Sequence, residues 1–494
     1  MENVNWSNKK RITTGDILED FLKQHYPAHL TKYKIKGERL SKLSYILNLT
    51  ITENNKLNSQ VELPDEEFSK FFVSQSLSQK DLKKNLGYKY REILIELYDI
   101  SNSYNKMKNL TKAFKLKDSV RKKLLDYFID TMNTPQDWYN ENGRKLNQIK
   151  DGIIRITELR QRAKSKVKID GEIKVNTNLI KEVIILLIGI LQNQHICATD
   201  KIKLSNYEIT EMKLKIGGNE YYLHLVFLLY QIYRLTIRNG KFPQLYREVT
   251  NGRLYGFGFN LQSMIKRARI LSFMKQGEYD FDISTAHPVI FKALANRLKF
   301  KTPTINYYIN HKKQTRELLA DEINDSVDKI KEGLNSLFYG SKLVISRNKN
   351  KPTSLQEIFG NRTMKFINHN YIKSLYCEIT ELSKLIIKDS TLTKIVRGKT
   401  ILNVMDKSLQ LFDTETGKRL VDRKILSHII TGYEVLIMQT TYEILNKRKC
   451  KVSLLIHDGF IGEDTDEKSL AREVKNKLNN VLPNLKLTFE KKKI

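Results

Sequence analysis

The sequence predicts an α+β fold in which a mainly helical N-terminal region precedes a part built from short strands and helices. Three observations predict it. Residues 15–160 hold few glycines or prolines and repeat apolar residues at three- and four-residue spacing, as in 110–128 (LTKAFKLKDSVRKKLLDYF), which is a helical period. From about residue 240 glycines cluster at Gly252, Gly256 and Gly258, and β-like runs alternate with helical ones. The chain has 494 residues, 40% of them hydrophobic and 29% charged, which exceeds one usual compact domain and suffices to bury a core.

The elements follow in order. Residues 160–168 (RQRAKSKVK) form a basic run beside a polar stretch, which reads as a solvated helix end or linker, with a nucleic-acid contact as the sharper reading. A soft boundary is expected there, near residue 175. The longest apolar run, 183–191, is nine residues, whereas a membrane span needs about 20. Residues 278–283 (EYDFDI) read as a strand leading into a helix, with Pro288 as a first helical residue before VIFKALANRL. Residues 452–461 (VSLLIHDGFI) carry Asp-Gly between two apolar segments, a hairpin signal.

Charge points to the partner class. Lys and Arg number 86 and Asp and Glu 55, a net +31, which favours nucleic acid first and an anionic membrane surface second. Cys197, Cys377 and Cys450 lie far apart and form no CxxC pair, which argues against a disulfide framework or zinc knuckle and for a reducing compartment. The N-terminus has no hydrophobic signal segment, so an intracellular protein without membrane association is expected.

The candidate chemistry begins with carboxylates. Asp458 would stand at the hairpin tip beside His457, and Asp280 and Asp282, alternating around Phe281, would point to one face of a strand. Alone, an Asp-Gly pair is a turn and a DxD a solvated edge. Together, two carboxylates from distant strands in a basic protein match two-metal phosphoryl transfer, in which Mg²⁺ takes one or two carboxylates plus substrate phosphates. Residues 331–342 (KEGLNSLFYGSK) add a discriminating pattern. At about 100° per residue, Lys331, Asn335, Phe338 and Tyr339 share a broad helical face. That face would present a cation to triphosphate oxygens, then an amide and two aromatics to a base and sugar, with Gly340 letting the helix end beside them.

The order of these motifs resembles the single-subunit RNA polymerases of the bacteriophage and mitochondrial type and their relatives, the family-A DNA polymerases. Residues 251–264 (NGRLYGFGFNLQSM) are similar to the GR-x-Y element before the palm, and 279–286 (YDFDISTA) to the segment of the first catalytic aspartate. Residues 331–342 resemble the fingers helix (Lys, seven residues, Tyr-Gly), and 456–460 (IHDGF) the second catalytic carboxylate. The resemblance implies a right-hand fold of palm, fingers and thumb. Residues 1–175 would form the helical N-terminal region, which could include the thumb. Residues 176–300 would hold a helical lead-in and the first part of the palm, 301–424 the fingers and 425–494 the second part of the palm.

It also implies roles. Asp282 and Asp458 would hold two Mg²⁺ ions, for which Mn²⁺ could substitute, with the Ile283 carbonyl as an extra ligand and Asp280 as a competitor for Asp282. Lys331 would neutralise triphosphate charge, Tyr339 would pack under the incoming nucleotide, and Arg253 would contact the template or nascent pair. His428, four residues before Gly432 in SHIITG, would join Tyr339 in recognising a ribose 2′-hydroxyl. His287, five residues after Asp282, is bulky where the phage enzymes are small and would act as a gate against that hydroxyl. Val327 stands where the family carries an Arg, four residues before Lys331. The expected activity is an RNA polymerase using NTPs, with a DNA template ahead of an RNA one. A family-A-like DNA polymerase using dNTPs and a non-catalytic nucleic-acid-binding replication protein are the alternatives.

Overall fold

A computed structural model describes residues 17–32, 112–134, 171–192 and 219–494, apart from 245, 257–258, 274–275, 348–351 and 414–415, with short pieces between 34 and 146. The basic run 160–168, Cys197 and Gly258 lie outside the described residues. The class is mixed and helix-rich α+β. The chain divides into two compact units, the first formed by residues 1–159, 170–245 and 257–276, the second by 160–169, 246–256 and 277–494.

The first unit is less purely helical than expected. Helices α1 (Ile17–His25) and α2 (Pro27–Lys32) precede a three-stranded antiparallel sheet of β1 (Val61–Leu63), β2 (Tyr98–Ile100) and β3 (Lys112–Leu116), with β3 central. The helix expected over 110–128 is therefore corrected: a strand comes first, and helix α3 (Asp118–Thr131) starts after Lys117. Pairing with two strands distant in sequence satisfies the β3 backbone, a tertiary effect that a local apolar period does not register. Two short strands, β4 (Trp138–Tyr139) and β5 (Lys145–Leu146), pair with each other. Strand β6 (Gly171–Lys174) pairs with β7 (Lys241–Gln244) around helices α4 (Thr177–Leu191) and α5 (Asn219–Thr236), and α6 (Lys266–Phe273) follows.

The nine-residue apolar run belongs to α4, which packs on α5. Both helices are apolar over most of their surface because the unit closes around them, burying Ile180, Val183, Leu187, Val226, Leu229 and Ile232. No described helix is long and apolar enough to cross a membrane. At the end of α3, Phe128 packs on Tyr230 of α5 with ring centroids 4.5 Å apart, and Arg234 donates to the Thr134 carbonyl at 2.8 Å.

His224 on α5 is buried, and desolvation pushes its pKa down to about 4. The unfolded chain takes up this proton first, so stability contributed by neutral His224 is present above pH 6.5 and is lost as pH falls from there towards 4. The full loss is about 3 kcal/mol. Circular dichroism follows the loss of helices α4 and α5 on denaturation. Between pH 7 and pH 4.5 the wild-type midpoint should fall further than that of His224→Gln; equal falls would refute this assignment.

The second unit is organised on an antiparallel sheet of β10 (Tyr279–Ile283), β14 (Val452–Leu455), β15 (Gly459–Gly462) and β16 (Phe489–Lys493), in the order β14-β15-β10-β16. Phe281 and Phe460 sit opposite each other and stack at 4.5 Å on the apolar face, which Phe489 extends. A hairpin, β8 (Tyr246–Glu248) and β9 (Leu254–Gly256), is anchored to β14 because the Tyr246 hydroxyl accepts the Leu455 N–H at 2.8 Å.

Helices supply the remainder. After β10 come α7 (Ala286–Arg297), α8 (Pro303–Asn310), α9 (Lys312–Ile323) and α10 (Val327–Phe338). Then follow α11 (Ser354–Phe359), α12 (Thr363–Asn368) and α13 (Asn370–Lys388). A small sheet, β11 (Lys394–Val396), β12 (Thr400–Leu402) and β13 (Ser408–Gln410), leads to the long helix α14 (Asp422–Lys447), and α15 (Glu467–Leu478) lies between β15 and β16. Pro288 is the third residue of α7, not the first, after Thr285 in left-handed backbone (φ 52°, ψ 51°). Any first-turn position suits proline, because those N–H groups have no acceptor within the helix.

Candidate active site

The sheet brings the two expected aspartates together. On β10, Asp280 and Asp282 face one way and Phe281 the other. Asp282 pairs in register with Gly459, the residue after Asp458, and the Ile283 N–H donates to the Asp458 carbonyl at 2.8 Å. Both aspartates therefore stand at one end of the sheet. Asp282 is half-buried and Asp280 buried at 4% exposure, so Asp282 is the more accessible of the competing pair. Ile283 is buried at the end of its strand.

The hairpin forms, but its glycine has another task than the one expected. The Ile456 N–H donates to the Gly459 carbonyl at 2.9 Å, which leaves His457 and Asp458 at the tip and puts Gly459 at the start of β15. A Cβ on Gly459 would meet the Phe281 carbonyl oxygen at 2.2 Å and Asp282 Oδ1 at 2.8 Å. Glycine is needed here for close approach of two strands, and the space its side chain would fill lies against the Asp282 carboxylate. Gly459→Ala should cost about 2–3 kcal/mol by forcing β10 and β15 apart, read as a lower chemical-denaturation midpoint by circular dichroism; an unchanged midpoint would show that the strands separate freely.

A buried network adjoins Asp458. Glu434, on α14, is fully buried and accepts a bidentate pair from one edge of the Arg253 guanidinium, with Nε at 2.9 Å from Oε1 and Nη2 on Oε2. His287 Nε2 lies 3.2 Å from Glu434 Oε2, and the His287 ring sits 4.4 Å from that of Tyr339. Arg253 also interacts electrostatically with the Tyr339 and Tyr255 side chains, and the Tyr255 ring lies 4.6 Å from His457.

Electrostatics follow from burial. Burial raises the Asp458 carboxyl above the usual carboxylate range, and the nearby Glu434 charge adds to the shift. Burial also opposes ionisation of Glu434, yet His287 and Arg253 outweigh it and hold that carboxyl low. Burial works against the Arg253 cation too, but Glu434 with Tyr339 and Tyr255 keeps its pKa above the ordinary guanidinium value. Desolvation raises the Tyr339 phenol.

Helix α10 carries Lys331 and Asn335 along its more open flank, and Tyr339 follows at its end: Lys331 is exposed, Asn335 and Tyr339 half-buried. Phe338 departs from that face, packing instead on Phe291 at 5.4 Å and Tyr308 at 6.4 Å. Its position near the helix end brings it under α7 and α8, a neighbourhood that helical phase alone does not reveal. Tyr339 is the first residue past the helix, and Gly340 follows with φ +82°, where a Cβ would strike Arg423 Cγ at 2.8 Å. Lys329 pairs with Asp325 at 3.5 Å, and Val327 is exposed.

His428 is buried in the second turn of α14, its Nε2 2.9 Å from the Lys407 carbonyl. Gly432 leaves room for Asn403, whose Nδ2 donates to the carbonyls of Asn251 and His428 at 3.1 and 3.3 Å. His428 and Tyr339 both line one cavity of about 500 Å³, with Asn251, Ser336 and Arg423.

Two features had not been anticipated. Glu434 is the only acidic or basic side chain apart from His428 between Ile425 and Tyr442; a lone acid within an apolar helix signals a buried, paired charge. Glu490 stands opposite Asp282 on β16 and is held by Lys312 and the Ser284 hydroxyl, a pairing with no local sequence signal.

The donor set bears on a metal. Among the described residues no group of three or more His, Cys, Asp or Glu is placed to hold an ion. Two carboxylates at one sheet end, one disfavoured as an anion by burial, fit a hard divalent cation whose other ligands come from substrate phosphates and water.

No family model matches the chain, and no curated protein does. Among solved structures it is similar to the POL domain of Pol1 from M. smegmatis, in complex with DNA primer-template and dNTP, at 13% identity over 69% of this chain and 68% of that one, with a TM-score of 0.42.

Proposed function

We propose that this chain is a template-directed nucleic-acid polymerase, a nucleotidyltransferase that extends a 3′-hydroxyl and releases pyrophosphate. The observation that carries the reading is the register of β10 on β15, which sets Asp282 beside Asp458 at one end of the sheet. The net charge of +31 supports a nucleic-acid partner held through its phosphates; DNA is placed ahead of RNA as template only by the sequence resemblance. In the reaction the 3′-oxygen forms a bond to the α-phosphorus while the bond from that phosphorus to the β-bridging oxygen breaks. Asp282 and Asp458 would hold Mg²⁺ with the triphosphate; the ions, when bound, stabilise the attacking and leaving oxygens. Lys331, exposed on α10, offers its ammonium to the departing pyrophosphate. Tyr339 packs beneath the incoming base and sugar.

The sugar is the finer part of the reading. Deoxyribonucleotides are supported by His287, whose ring lies against Tyr339, and by His428, whose Nε2 is directed to the Lys407 carbonyl. Ribonucleotides, first in the sequence expectation, are the second reading and rest on the cavity that Tyr339 and His428 share.

The test is an extension assay offering dNTPs or NTPs with Mg²⁺ on DNA and RNA templates, with and without primer. Product from dNTPs supports the first sugar reading and product from NTPs the second. Template binding without product under any condition moves the chain to the non-catalytic class.

A further inference from the structure

We propose that Glu434 sets the sugar specificity of the site by fixing His287 and Arg253 against Tyr339. The inference rests on the polymerase reading and deepens it. Tyr339 stands just past the end of α10, where its own N–H and those of Gly340 and Ser341 return to the carbonyls of Asn335, Leu337 and Ser336; these bonds fix its backbone and leave its ring to be placed by side chains of other elements. That support comes from two sides: the Arg253 guanidinium interacts electrostatically with its phenol, and the His287 ring lies 4.4 Å from its ring. Both supports converge on one carboxylate. Arg253 occupies both Glu434 oxygens, and His287 Nε2 lies 3.2 Å from Oε2.

The three residues come from different elements: Arg253 from the β8–β9 turn, His287 from α7 and Glu434 from α14. A single buried anion therefore registers a hairpin, two helices and the end of a third around the nucleotide site. Glu434 is fully buried, so it touches neither base nor sugar. It is a positioning residue that acts through His287 and Tyr339. With the His287 ring held in place, a 2′-hydroxyl meets bulk it cannot displace; with the ring released, the site admits either sugar.

The test is an equilibrium binding measurement on the full chain. It uses a dideoxy-terminated primer on a template presenting thymine, with Mg²⁺, and titrates dATP and ATP separately against a fluorescent nucleotide. The proteins are wild type, Glu434→Gln, Glu434→Asp, His287→Ala and the Glu434→Gln/His287→Ala double variant. Glu434→Asp keeps the charge that Arg253 needs while drawing it back from His287, so it remains informative if Glu434→Gln does not fold.

Wild type should bind dATP at least tenfold more tightly than ATP, and the ratio should fall towards one in His287→Ala and in both Glu434 variants. The double variant should lose no more than His287→Ala alone, because the two residues act through one contact. Retention of the wild-type ratio in folded Glu434→Asp overturns the inference and leaves the polymerase reading intact. Equal wild-type affinity for the two sugars overturns it as well. Binding of neither nucleotide overturns the polymerase reading itself.

Discussion

Asp458→Asn should lower nucleotide incorporation by about 10²–10³-fold while leaving the second unit at least as stable as wild type. Asparagine keeps the shape and one oxygen but removes the negative charge that would hold a divalent cation near the reacting phosphate. The loss corresponds to about 3–4 kcal/mol of transition-state stabilisation. The stability half of the expectation has a separate cause. Asp458 is disfavoured as an anion by burial and by the Glu434 charge, so a neutral side chain removes a cost of the folded state. Single-turnover extension at saturating nucleotide gives the first number and calorimetric unfolding the second. Activity within tenfold of wild type would exclude Asp458 from metal binding; a marked loss of stability would show that its hydrogen bonds matter more than its charge.

Glu434→Ala should destabilise the second unit by about 3–5 kcal/mol, the usual cost of leaving one partner of a buried ion pair uncompensated. Arg253, at 15% side-chain exposure, would keep its charge with its carboxylate gone. The reverse change, Arg253→Met, should cost less: His287 still neighbours Glu434, and methionine fills part of the space. Urea denaturation of both variants checks the order. A Glu434→Ala midpoint equal to that of wild type would mean that water reaches Arg253 and that the pair is not a structural hub.

The legibility of the chain varies with the range of the forces involved. Strand β10 was readable because its alternation is local and its face is set by a period of two. The β14–β15 hairpin was readable too, although for a partly mistaken reason: Asp-Gly suggested a turn, whereas Gly459 is required by the Phe281 carbonyl of another strand. The same limit explains β3. An apolar spacing compatible with helix was overridden by two distant strands that satisfied its backbone on both edges. Phe338 fell on the expected helical face by angle, yet its place along the axis buried it under Phe291 and Tyr308.

The sequence by itself determined the helix-rich α+β character, the basic balance that suits a polyanion, the strand bearing Asp280 and Asp282, the apolar hairpin bearing Asp458, and the amphipathic helix ending at Tyr339. These depend on composition and on periods shorter than about ten residues, which neighbours in the chain impose on one another. Only the tertiary structure decided that Asp282 stands beside Asp458, that Glu490 lies opposite it, and that Glu434 gathers Arg253 and His287 beside Tyr339. Strand register and buried charge pairing join residues up to about 200 positions apart, and their free energy appears only when water has been removed from between them.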